Sequence, residues 1–92
     1  MTDSITLDLD QVVNIKTVNA IKEKLDEVLK QEKDVLLLGG SVEQVDTAGL
    51  QLLAAFNERL KCTGHHMRWD ESSEEVQQVA SLLGLEKAVS LQ

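Results

Sequence analysis

Hydrophobic positions recur along this chain with periods that alternate between two and about 3.6 residues, and each change of period marks a new element. Ile5, Leu7 and Leu9 alternate with Thr6, Asp8 and Asp10, as in a strand with one buried face. Met1 to Ser4 precede it as a frayed end, and Gln11 to Lys16 continue it in a less regular, extended form. Thr17 can cap a helix whose apolar positions Val18, Ile21, Leu25, Val28 and Leu29 follow the helical period. The charged residues of that segment fall on its other side, as on a solvated face. Gln31 to Asp34 turn the chain. Val35 to Leu38 form an unbroken apolar run, suited to a central strand covered on both sides. Gly39 and Gly40 predict a bulge or kink at its end, since they lack the spacing and the Lys of a phosphate-binding loop.

From Leu50 to Leu60 the helical period returns. Leu52, Leu53, Phe56 and Leu60 fall together and are expected to face the sheet. Thr47, Leu50, Gln51, Ala54, Glu58 and Lys61 fall on an adjoining sector, readable as a protein-contact surface or as the edge of an amphipathic helix. Thr63-Gly64 stops this helix. His65 to Trp69 alternate as a strand. Ser72 with Glu75 fits a capping box for a last helix, whose apolar stripe is Val76, Val79, Ala80 and Leu83 and whose C-cap is Gly84. Ala88 to Leu91 are expected to add a short final strand. Strands alternating with helices predict an α/β sandwich, a mixed sheet of about four strands packed with about three helices.

The chain has 92 residues, the length of a single domain spanning residues 1–92. With one Phe, one Trp and no Tyr, its core must be built from Leu, Val, Ile and Ala. The formal charge of −7, spread along the chain, argues against nucleic acid and anionic membrane surfaces as partners. It permits a basic protein partner. Cys62 is alone and has no internal disulfide partner. The N-terminus lacks the basic and apolar segments of a signal peptide, and no apolar run has the length of a membrane span, so a cytoplasmic location is expected. His65 and His66 point apart on a strand and make a poor chelating pair, so no metal is expected. Trp69 reads as a core residue. Neither His has an assignable nucleophile or orienting group, so the chain reads as a binding module and not as an enzyme.

The most informative stretch joins the apolar strand to the long helix: Asp46-Thr47-Ala48-Gly49-Leu50. Asp46 and Thr47 are both able to cap a helix start. A hydroxyl there sits where backbone donors and the helix dipole favour negative charge, although a phosphate on Thr47 would also meet repulsion from Asp46. The stretch resembles the signature of the STAS family, the anti-sigma-factor antagonist domains, with Leu52 and Leu53 continuing that family's apolar helix. Gly84-Leu85 is similar to the pair ending the last helix in the family. Leu38 and Gly39 depart from the pattern, which commonly has an acidic and an apolar residue there.

The resemblance implies a STAS-like sandwich and a protein-binding role. Thr47 becomes the candidate phosphorylation site, and Asp46, Thr47, Ala48, Gly49, Leu50, Gln51, Ala54 and Glu58 become the candidate partner-binding residues. It also implies two kinds of partner. One is an anti-sigma factor or related serine/threonine kinase, released when Thr47 is phosphorylated. The other is an ABC-type transporter ATPase, bound through the same helix by a small STAS subunit that needs no phosphorylation. Some family members bind nucleotide, but no motif here supports a cofactor.

Overall fold

The structure, a computed structural model, describes residues 4–91. Of the frayed end expected over Met1 to Ser4, Met1 to Asp3 lie outside the described residues, and Ser4 belongs to a strand. Among the described residues the elements run β1 (Ser4–Asp8), β2 (Val12–Val13), α1 (Val18–Leu29), β3 (Asp34–Gly39), β4 (Gln44–Val45), α2 (Thr47–Cys62), β5 (Met67–Ser72) and α3 (Glu74–Leu83). The α/β class is as expected from the sequence.

The strand arrangement differs in detail from one mixed sheet of about four strands. Strands β1, β3 and β5 form a three-stranded sheet with β3 central, and β2 with β4 forms a separate two-stranded ribbon. All pairings are parallel. The reason lies in the connections: α1 precedes β3 and α2 precedes β5, and a helical crossover returns the chain to the end it started from. No hairpin forms between β1 and β2. Asp10 takes a positive φ of 61° and its N–H donates to Asp8 Oδ1 at 3.0 Å, turning the chain out of the sheet.

Burial alternates strictly along β3. Val35, Leu37 and Gly39 are buried, whereas Leu36 and Leu38 are half-exposed. In register with them, Met67 is buried and Arg68 exposed on β5. One face of the sheet therefore carries the core and the other is open, in place of the two covered faces that the apolar run predicts. The core gathers Leu37, Leu50, Leu53, Phe56 and Leu60 with Leu25, Met67 and Val89, all nearly inaccessible. Gly39 serves the packing of Trp69: a Cβ there would lie 2.4 Å from the indole ring. The expected irregularity is found opposite, where the β3–β5 register shifts between Leu37 and Leu38 and leaves Asp70 as the extra residue.

The helix ends follow backbone chemistry. After α2, Gly64 at φ 82° lets the His65 N–H reach the Leu60 carbonyl at 2.9 Å. After α3, Gly84 at φ 68° lets the Leu85 N–H reach the Ala80 carbonyl at 2.9 Å. Four local expectations change. Thr17 precedes α1 but its hydroxyl closes the preceding turn, accepting from Asn14 N–H and donating to the Val12 carbonyl. Ser73, not Ser72, caps α3, accepting from Val76 N–H at 3.2 Å, and Leu83 is exposed. The final strand is absent among the described residues. Residues 86–90 are turns, Ser90 has φ 68°, and the segment is held from outside. Asn57 Nδ2 donates to the Ala88 carbonyl and Trp69 Nε1 to the Val89 carbonyl, at 3.0 and 2.7 Å.

Candidate functional site

The start of α2 is built by one carboxylate. Asp46 is extended, at φ −126° and ψ −178°, which leaves its side chain free to turn back over the first helical turn. Its Oδ1 accepts from the Gly49 N–H at 2.9 Å, satisfying one of the helix's unpaired donors. Its Oδ2 accepts from the Ile15 N–H at 3.1 Å, 31 residues away in sequence. Its own N–H donates to the Val13 carbonyl at 3.2 Å. Asp46 thus caps α2 and clamps the loop between β2 and α1 against it. Of the two capping candidates in the sequence, Asp46 takes the role.

Thr47 is the first residue of the helix and is exposed, with the capping done by its neighbour. Gln51 and Glu58 follow on the same exposed face, and Ala48 and Ala54 are half-buried beside it. Gly49 and Leu50 belong elsewhere. Leu50 is 0 % exposed and sits in the core cluster with Val13 and Val45. Gly49 is buried because β2 lies against it: an added Cβ would stand 2.3 Å from the Val13 carbonyl oxygen. These two lie buried beneath the exposed residues of the helix start, while Leu52, expected inward, is half-buried at the border.

Ile15 is the residue the sequence reading passed over. It is 65 % exposed, and the hydrogen bond from its N–H fixes it beside the Asp46-Thr47 turn. Its apolar character in a run between β2 and α1 was visible, but its exposure was not. The hydrogen bond thus ties an exposed aliphatic residue to the helix start that exposes the Thr47 hydroxyl and the Gln51 amide.

The remaining chemistry lies at the other end of α2. Asp34 Oδ1 accepts from the His66 N–H at 2.9 Å and stands 3.5 Å from His65 Nδ1. The His66 N–H bond chiefly holds the Asp34 carboxyl below its ordinary range; partial desolvation opposes this, and the two imidazoles add to the lowering. His66 is exposed and β5 begins only at Met67, so the strand starts later than expected. Among the described residues no group of three or more His, Cys, Asp or Glu is placed to hold a metal ion. No helix among them is long and apolar enough to cross a membrane.

The α/β fold thus presents an exposed hydroxyl, that of Thr47, at the capped start of α2. Residues 2–92 match the family model described as "Mlab, STAS domain", and the chain belongs to the STAS family. A solved structure titled "Crystal Structure Analysis of Mglu" is similar at 21% identity with a TM-score of 0.66. The match covers 77% of this chain and 18% of that one, so the likeness speaks for the fold alone. No curated protein matches the chain.

Proposed function

We propose that this protein is a regulatory protein-binding module whose contact surface is the start of α2, with Thr47 as its control point. The observation that carries the reading is the exposure of Thr47 beside Ile15, on a turn that Asp46 holds rigid from both sides. STAS domains are in general non-enzymatic, in keeping with a binding role. In the reading we favour, the partner is an anti-sigma factor or a related serine/threonine kinase. The neutral hydroxyl lies within the contact, and Ile15 supplies the apolar anchor that interface centres use.

Phosphorylation of Thr47 would add roughly −1.5 to −2 charges there. The phosphate would face an Asp46 carboxylate whose oxygens are already committed to the Gly49 and Ile15 N–H groups. Repulsion would loosen the clamp that seats Ile15, while the added charge would spoil a contact made for a neutral group. The same event thus acts on shape and on charge.

Ile15 also favours a second reading. An exposed aliphatic anchor needs no modification to work, as in a lasting contact with an ABC-type transporter ATPase. A pull-down from the source cell with the parent chain and with Thr47→Glu, read by mass spectrometry, separates the roles. An anti-sigma factor or signalling kinase lost from Thr47→Glu supports the first. An ATPase lost from Thr47→Glu supports the second. Partners retained equally by both chains would refute the site.

A further inference from the structure

We infer that the groove between α1 and α2 is a second docking site, one that takes an acidic amphipathic segment of a protein partner. Its apolar floor is made by Leu25 and Phe56, which are buried, and by Leu29 and Leu52, which are half-buried. The recess over them measures about 90 Å³. That is well below the ~300–1,000 Å³ of sites for drug-sized ligands or cofactors, and suits a single apolar side chain. The recess opens into a longer trough of about 520 Å³ that shares Lys22, Asp26, Leu29 and Arg59 with it and ends at Lys30 and Thr63.

Charge selects the occupant. The chain has 16 acidic and 9 basic residues, yet the trough is lined by Lys22, Lys30 and Arg59 against Asp26 alone. The local sign is therefore opposite to that of the whole protein. The cations are not locked away. Arg59 meets Asp26 at 3.6 Å and Lys30 meets Glu27 at 3.6 Å; Arg59, Lys30 and Glu27 are largely exposed and Asp26 is half-exposed. Such pairs are weak and readily exchanged for a partner's carboxylates. A second copy of this chain fits less well. Among the described residues the most exposed large apolar side chain, Leu82 at 85 %, sits with the neutral side chains of Gln77, Gln78 and Ser81. Two chains of charge −7 also repel.

The test titrates the isotope-labelled full chain with designed helical peptides bearing one Leu or one Phe anchor flanked by Glu, followed by amide NMR. The expected result is a set of shifts confined to residues 22–30 and 52–63. The Gln-for-Glu peptide should bind about tenfold more weakly or worse, and affinity should fall as salt rises. Lys22→Glu with Arg59→Glu, shown folded by circular dichroism, should abolish the shifts. Thr47→Glu should bind the peptides as the parent does, which separates this groove from the α2 start. Silence from both the Leu and the Phe peptides overturns the inference, as does unchanged binding by the double variant. Self-association of the parent that Arg59→Glu removes would assign the groove to a second copy and overturn it equally.

Discussion

Replacing a helical Gly by Ala ordinarily stabilises a helix by about 0.8–1 kcal/mol, because Ala has less backbone freedom to lose. Gly49 sits in the first turn of α2, and there the sign should reverse. A Cβ at this position would lie 2.3 Å from the Val13 carbonyl oxygen, 2.8 Å from Val13 Cγ1 and 2.9 Å from Val13 C. Backbone cannot swing aside as the end of a side chain can. The same Val13 carbonyl accepts the Asp46 N–H, and Val13 pairs with Val45 in the ribbon. Relief therefore requires α2 and β2 to separate, at about 1–3 kcal/mol for the overpacking, with about 1 kcal/mol more if the Asp46 hydrogen bond is lost. Set against the propensity gain, Gly49→Ala should destabilise by about 2 kcal/mol, or lower Tm by about 8–16 °C in a domain of this size. Urea unfolding followed by circular dichroism measures it, with m unchanged if two-state behaviour holds. The control is Ala55→Gly on the exposed face, which should cost about 1 kcal/mol through propensity alone. A Gly49→Ala chain as stable as the parent would refute the close approach of β2 to α2.

Phe56 is 3 % exposed, and Phe56→Ala should cost about 3–5 kcal/mol; a folded variant with unchanged Tm would show that this face is not inward. Asp46→Ala removes the cap of α2 and the acceptor of the Ile15 N–H together, so about 1–2 kcal/mol is expected in urea unfolding, and a change below about 0.5 would contradict the clamp. Asp34 has its folded-state pKa lowered, so the stability it provides is fully present above its unfolded value and is lost as pH falls through the folded one. The stability difference between parent and Asp34→Asn should thus shrink as pH falls below about 4, and a difference that grows through that range would be the wrong sign.

Much of the fold was legible because single residues encode it through backbone chemistry. Gly64 and Gly84 end helices by taking positive φ, and the helical period sorted Leu53, Phe56 and Leu60 inward without any tertiary knowledge. What escaped the sequence depends on elements too short to have a period. The ribbon of β2 and β4 has only two residues per strand, yet it covers the start of α2 and joins Leu50 to the core. The site suffered most from this. The contact sector was drawn on a helix taken alone, so buried Leu50 was placed on it, and buried Gly49 became a candidate only through the family resemblance; Ile15, tied to Asp46 by a long-range hydrogen bond, could not be placed beside the helix start from the sequence. The final strand failed for a similar reason. Alternation from Ala88 to Leu91 mimics a strand, but Asn57 and Trp69 take the carbonyls of Ala88 and Val89 and a positive φ at Ser90 turns the chain.

The most direct test of the Thr47 surface is the affinity of the partner recovered from the source cell, measured by calorimetry for the parent, Thr47→Glu and Thr47→Ala. A carboxylate is acceptable at a helix start, so Thr47→Glu should fold normally by circular dichroism. Its binding should weaken by about 2 kcal/mol or more, roughly thirtyfold, as a charge is buried in a contact made for a hydroxyl. Thr47→Ala should keep binding if the site is a phosphorylation switch, and lose part of it if the hydroxyl itself serves a lasting contact. A folded Thr47→Glu chain that binds the partner as tightly as the parent does would contradict the assignment of this helix start as the interface.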